Sequence, residues 1–242
     1  MNIPLSPAGI NCFTCQMRDR TEWCSLKDED LRHLNELKVC NTYDPGQIIF
    51  YQGNPCLGIY CVEAGTIAIR KLDERGNSAL VRMATEGQTL GYRAFFAGGS
   101  YAANAEALTK TRVCFIDKEG VRALLERNPN VGLAFLKHIS DDLEAAEDAR
   151  LQASHLPVRA RLAHLLLTLK DRFATVDDQG NLTIELPMAR RDMADIVGTR
   201  PETIARTIRA IEDDGVATFN GRHVVVPDLD ALLDELEAPD EL

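Results

Sequence analysis

At 242 residues, with 45% apolar side chains and a formal charge of −10, the chain can bury two modest cores and holds no run approaching the roughly 18–20 apolar residues of a membrane span. Seven cysteines cannot all pair within one chain, and MNIPLSPAGINC lacks the basic start and apolar stretch of a secretory signal. The expectation is a reduced, cytoplasmic protein rather than a disulfide-stapled secreted one.

The first informative stretch is CFTCQMRDRTEWC, which sets Cys12, Cys15 and Cys24 within thirteen residues. Four soft thiolates suit an iron–sulfur cluster or zinc, and three are present in this arm, residues 1–25. Cys40, Cys56, Cys61 and Cys114 compete for the fourth place. Cys61 and Cys114 lie in strand-like apolar runs, where a buried structural cysteine is the default. The polar QMRDRTEW between Cys15 and Cys24 is expected to loop out. SLKDEDLRHLNEL then places Leu26, Leu31, Leu34 and Leu37 at helical spacing behind Ser25 as an N-cap. From there the period changes. Short apolar runs broken by Pro-Gly, Ala-Gly, Arg-Gly-Asn and Glu-Gly predict a β-sandwich or roll, within residues 26–128.

Residues 129–155 predict one long helix. Gly132, Leu136, Ile139, Leu143, Ala146, Arg150 and Ala153 alternate spacings of four and three, the seam of a two-stranded coiled coil, so a homodimer is expected along it. Asp141, Asp142, Glu144, Glu147 and Asp148 run beside the seam as a solvated face. In a parallel dimer they would face their own copies and keep the dimer marginal. Pro157 separates this helix from VRARLAHLLLTLKDRF, which is also amphipathic, and DDQGNL reads as a turn.

LPMARRDMADIVGTRPETIARTIRAIEDDGVATFNGRHVVVPD, within residues 156–228, parses into helix, tight turn, helix and hairpin, a winged helix-turn-helix. The first helix spans about Ala189 to Val197 and stops at Gly198. The second spans about Arg200 to Asp213, with Thr199 and Glu202 as a capping box, Pro201 in the first turn and Gly215 past its end. Asn220-Gly221 turns the hairpin. Ile204, Ile208 and Ile211 form the core face of the second helix. Glu202, Ala205, Arg206 and Arg209 lie opposite, with Arg200 and Thr199 at the end that would enter a DNA major groove. Arg206 can bond guanine bidentately and Glu202 can accept from cytosine, whereas Arg209 suits a phosphate. The overall acidity does not oppose this. From Asp228 to Leu242 there are seven acids and no base, residues 229–242 forming an acidic tail. Between Pro187 and Ile211, five arginines face three acids.

A β-roll, a long dimer helix and a winged helix-turn-helix, in that order, resemble the CRP/FNR superfamily of bacterial transcription regulators from about Leu26 to Asp228. The resemblance implies an α+β fold: a cyclic-nucleotide-binding-like jelly roll, the dimer helix and the DNA-binding domain. GTRPETIARTI is similar to the family's recognition helix, with Glu202 and Arg206 reading double-stranded DNA at a TTGA-like palindrome. Pro201 and Ala205 replace an arginine and a serine found in other members. RNA polymerase is a further partner that the resemblance implies.

In GQTLGYRAFFAGGSYAANAEA, Tyr92 stands where cyclic-nucleotide binders carry a ribose-binding Glu, and Ala102-Ala103 where they carry the phosphate-binding Arg-Ser. Arg93 is misplaced as a substitute, so no cyclic nucleotide is expected. FNR-type sensors take a fourth cluster ligand from a Val-Cys context late in the roll. RVCFID matches that context, so the resemblance implies a redox- or oxygen-sensitive 4Fe–4S cluster on Cys12, Cys15, Cys24 and Cys114. Zinc or a redox-thiol set is the alternative, and haem on His138 a more distant one. Members with five residues between the second and third cysteines differ from the eight found here. An enzyme is the contrasting class, but no P-loop, dinucleotide-binding glycine motif or nucleophile elbow is present.

Overall fold

The computed structural model describes residues 11–176 and 181–236, and the chain divides between Leu143 and Glu144 into two compact units. The start of the arm, part of the DDQGNL turn and the end of the acidic tail lie outside the described residues. Among those described, no helix is long and apolar enough to cross a membrane.

The first unit opens with two short 3-10 turns, Arg18–Arg20 and Glu22–Ser25, and helix α1 (Asp28–Leu37). Strands β1 (Val39–Tyr43), β2 (Ile48–Phe50), β3 (Gly58–Ala64), β4 (Ile67–Leu72), β5 (Ser78–Ala84) and β6 (Thr89–Leu90) follow, then helix α2 (Tyr92–Ala97), β7 (Asn104–Ala107) and β8 (Thr111–Asp117). They form two antiparallel four-stranded sheets, ordered β1-β8-β3-β6 and β2-β7-β4-β5, which is the predicted roll. Ile59, Val62, Val113 and Ile116 of one sheet and Ile67, Ile69 and Ala105 of the other share a single buried core. In β7 the alternation is clean, Ala105 and Ala107 being buried while Asn104 and Glu106 are less so.

Two expectations about the N-terminal segment are corrected. QMRDRTEW does not loop out. It winds into the 3-10 turns because Trp23, 3% exposed, and Leu26, 2% exposed, are drawn into the roll's core. That inward course delays α1, whose N-cap position is Lys27 with no side-chain cap, rather than Ser25.

Helix α3 (Lys118–Arg127) is capped by the Asp117 carboxylate, which accepts from the Gly120 N–H at 2.7 Å. Helix α4 (Pro129–His155) buries only Val131 and Phe135 completely. Leu136 and Leu143 of the expected seam are exposed, together with Leu133 and Leu151, and so are Ala146 and Arg150. Ile139 leans instead on the roll's core. Nor are the flanking acids a uniformly solvated face: Asp142 is drawn onto the roll, and Asp141 pairs with Lys137 at 2.7 Å.

The second unit contains α5 (Val158–Phe173), β9 (Ala174–Val176), β10 (Leu182–Glu185), α6 (Arg190–Val197), α7 (Pro201–Asp213), β11 (Thr218–Asn220), β12 (His223–Val226) and α8 (Leu229–Asp234). Its sheet runs β11-β12-β10-β9, and Leu162, Leu166, Met193, Ile208 and Val224 lie in its interior. Ile204, Ile208 and Ile211 are buried as predicted. The Thr199–Glu202 capping box is not formed. Arg200 occupies the N-cap position, and the Thr199 N–H donates backward to the Ala194 carbonyl, closing the end of α6. Asn220 pairs with His223, so Gly221 and Arg222 form the hairpin tip. A positive φ at Gly221 alone fits a type II′ turn.

Gly198 ends α6 at φ 72°, and a Cβ there would stand 3.2 Å from the Arg161 guanidinium. Gly198→Ala is expected to destabilise the helix-turn-helix unit by about 1–2 kcal/mol through the left-handed backbone alone. Urea unfolding followed by circular dichroism measures it.

Candidate metal centre and nucleic-acid interface

The arm packs into a recess with apolar walls on the roll. Cys12, Cys15, Cys61 and Cys114 line it together with Leu31 and Ile116. Each thiol arrives by a different local cause. The Cys12 N–H donates to Asn35 of α1 at 2.9 Å, which fixes the arm's first turn. Cys61 and Cys114 come from adjacent strands in direct register. The indole Nε1–H of Trp23 lies 3.0 Å from the Cys61 sulfur. Burial raises the Cys12 thiol against the opposing charge of Lys38, and pushes Cys61 up to about 12.

Two of the expected ligands are not available as free thiols in this recess. Cys24 is exposed on the second 3-10 turn and does not line the recess. Cys114, 7% exposed, is disulfide-bonded to Cys40, its register partner on β1. Nothing in the sequence pattern singled out Cys40; only the β1–β8 register brings it to Cys114. Among the described residues, no group of three or more His, Cys, Asp or Glu side chains is arranged to hold a metal ion. The donor chemistry nevertheless fits a soft-metal group, since the sulfurs of Cys12, Cys15 and Cys114 share one recess with apolar walls. Such a group requires the Cys40–Cys114 bond to be reduced and Cys24 to turn inward.

Behind the recess lies a polar network that sequence reasoning missed. Glu22 is buried. It accepts from the Thr89 hydroxyl at 2.5 Å and pairs with Nδ1 of His138 on α4. The His138 ring packs on Tyr92 with centroids 4.6 Å apart. The Tyr92 hydroxyl donates to Asp142, which also accepts from Arg93 at 2.7 Å and Arg82 at 3.2 Å. Burial alone would raise the Asp142 carboxyl, but Tyr92, Arg82 and Arg93 hold it below the ordinary carboxylate range. The signal available in the sequence was the i,i+4 pair His138 and Asp142; their partners lie far away along the chain. Arg93, the misplaced phosphate candidate, is thus engaged within the protein.

In the second unit, α7 presents Glu202, Arg206 and Arg209 to solvent, with Arg200 at its N-cap and Ala205 and Thr199 half-buried. No side-chain hydrogen bond or ion pair among the described residues engages Glu202, Arg206 or Arg209. The Glu202–Arg206 pairing that the spacing permits is therefore not made. Arg161 of α5 donates to the Val197 carbonyl and, at 3.4 Å, to that of Gly198, which holds the turn before α7.

Residues 40–128 match the cyclic nucleotide-binding domain model, and residues 160–235 match the Crp-like helix-turn-helix domain model. The chain belongs to the CRP/FNR family. It is 27% identical over 228 residues to the transcriptional activator protein FnrL of Cereibacter sphaeroides, covering 93% of this chain and 91% of that one. It is 25% identical to the fumarate and nitrate reduction regulatory protein of Escherichia coli, covering 93% and 89%. FixK2 from Bradyrhizobium japonicum shares the fold at a TM-score of 0.71 and 24% identity, over 84% of this chain and 98% of that one. A CRP/FNR-family regulator from Thermus thermophilus does so at 0.70 and 23%, over 83% and 99%. This CRP/FNR-family chain is a DNA-binding transcription regulator, not an enzyme.

A carboxyl lowered on folding contributes stability that is complete above its unfolded value, near ~3.9, and is lost as pH falls through the folded value. Asp142→Asn is expected to weaken the first unit by roughly 1–3 kcal/mol at neutral pH. The variant should also lose less of its stability than wild type on acidification below about pH 4. Urea melts followed by fluorescence of Trp23, the single tryptophan, test both.

Proposed function

We propose that this regulator binds DNA as a homodimer and that its binding is controlled by an oxygen- or redox-sensitive 4Fe–4S cluster. Cys12, Cys15, Cys24 and Cys114 would hold it. The observation that carries the reading is the convergence of Cys12 and Cys15 of the arm with Cys114 of the roll on one recess. The relatives named FnrL and fumarate and nitrate reduction regulatory protein, matched over 93% of the chain, support it. When bound, the cluster supplies a group that oxidants dismantle. The chain's own residues supply the coupling. Trp23 and Glu22 lie between Cys15 and Cys24, and Glu22 grips His138 of α4. A shift of the arm therefore reaches the helix that carries Leu136 and Leu143, the residues that would form the dimer seam with Ala146 and Arg150.

At the DNA, Glu202 and Arg206 would read bases of a TTGA-like palindromic half-site, while Arg209 and Arg200 hold phosphates and Ala205 and Thr199 sit at the contact's edge. RNA polymerase would be the further partner, in the cytoplasm. Cyclic nucleotide plays no part in this reading, since Ala102-Ala103 offer no cation and Arg93 is bound to Asp142.

Protein purified without oxygen is expected to show a broad absorption band near ~400 nm with about four irons and four sulfides per chain, bleaching in air. A colourless protein with stoichiometric zinc overturns the cluster. Arg206→Ala is expected to cost about 1–3 kcal/mol on the palindrome and little on scrambled DNA. Arg209→Ala should weaken both and flatten the salt dependence. Fluorescence anisotropy titrations at two salt concentrations separate these outcomes.

A further inference from the structure

We propose that Cys40 and Cys114 form a thiol-oxidation site that competes with the arm for the Cys114 sulfur. The proposal rests on the reading that Cys114 is a ligand of the arm's group, and goes beyond it by assigning a role to Cys40.

The sheet order places β8 between β1 and β3, and the register aligns Cys40 with Cys114 and Cys114 with Cys61. Directly opposed residues of an antiparallel pair point to the same face. Three sulfurs therefore stand in one row across three strands, with Cys114 in the middle. The two flanking thiols are not equivalent. Cys61 lies under the Trp23 indole, whereas Cys40 is half-buried on the edge strand β1. Cys114 bonds to Cys40 while still lining the recess with Cys12 and Cys15. One sulfur thus faces two claimants, and a sulfur held in a disulfide is no longer a thiolate ligand.

The edge position makes Cys40, rather than the buried Cys114, the thiol of this pair that a peroxide reaches first. Its thiolate attacks the O–O bond of hydrogen peroxide, forming a sulfenic acid and releasing hydroxide. The Cys114 thiolate then attacks that sulfur, the S–S bond forms, and a second hydroxide leaves. Two thiols become one disulfide and two waters, with two electrons passing to the peroxide. A dithiol reductant reverses the change by exchange at the Cys40 sulfur. Oxidation at this site removes one thiolate from the recess and keeps it removed until a reductant acts, whatever took away the bound group. It would convert a transient loss of the group into a state that remembers the oxidant.

The test uses the full chain, first freed of metal by a chelator under anaerobic conditions and treated with hydrogen peroxide. Peptide mapping without reduction is expected to recover a Cys40–Cys114 cross-link, and Cys40→Ser to lose it. Recovery of Cys114 unlinked, or linked to Cys12, Cys15 or Cys61 instead, overturns the proposal. A second arm treats protein reconstituted with ferrous iron and sulfide in the same way. Slower cross-linking in the loaded protein supports competition for one sulfur. Equal rates overturn the competition and remove Cys114 from the ligand set, while the cross-link itself stands. Wild type that takes up no iron defeats the cluster reading alone, because the map of the metal-free protein still decides the oxidation site. Cys40→Ser should hold as much iron as wild type when both are prepared without oxygen; a loss of iron would make Cys40 a ligand and overturn its assignment as competitor.

Discussion

Much of the first unit depends on one buried anchor, the Trp23–Glu22 step in the arm. A buried indole contributes several kcal/mol of apolar burial, on the order of 25 cal/mol per Å² removed from water. Trp23 meets Phe135 of α4 edge-on at 5.5 Å and covers Cys61, so one side chain closes both the recess and the base of the long helix. The same step draws Glu22 inside, where an unpaired carboxylate would be costly. Thr89 and His138 satisfy it. The arm therefore sits in a defined register on the roll, and the polar residue that burial forces inward is the one that reaches the long helix.

This anchoring is confined to the first half of α4. Val131, Phe135, His138, Ile139 and Asp142 bind the helix to its own roll, after which Leu143 and Leu151 stand in solvent. An apolar row exposed beyond the end of intramolecular packing calls for a partner surface, and a second copy of the same helix presents the same row. The pull of Asp142 onto the roll also alters the electrostatics of that seam. One of five acids that would have faced its copy is neutralised by Arg82 and Arg93, which lowers the repulsion a dimer must overcome.

The architecture was legible from period and punctuation, because both depend on neighbours in sequence. The short apolar runs of the roll, the apolar face of α7 and the glycines at 198 and 221 are local statements, and each was realised close to its expected place. The failures share a different cause. Thr199 looked like a cap until the end of α6 claimed its N–H, and QMRDRTEW looked like a loop because one tryptophan among polar residues gives no periodicity. Glu22–His138 and Cys40–Cys114 join residues 116 and 74 positions apart. Only the fold brings such pairs together. Cys40 was one of four unassigned cysteines until the β1–β8 register placed it opposite Cys114.

The charge distribution bears on how such a chain meets DNA. Its net charge of −10 repels a polyanion, but at physiological salt that repulsion is screened beyond roughly 8 Å. On the proposed contacts, binding would therefore come from close range, through the arginines on and before α7. Non-specific affinity scales with the number of phosphates neutralised, and so with the local basic residues rather than with the net charge. A specific complex would add whatever Glu202 and Arg206 gain from base edges, and a repulsion common to both complexes leaves the ratio of specific to non-specific binding unchanged. In the proposed homodimer, joining two recognition helices would multiply a small per-site preference into a usable one. On the proposed reading, DNA binding by an acidic chain would then depend on the dimer, whose helix the arm can reach through Glu22 and His138.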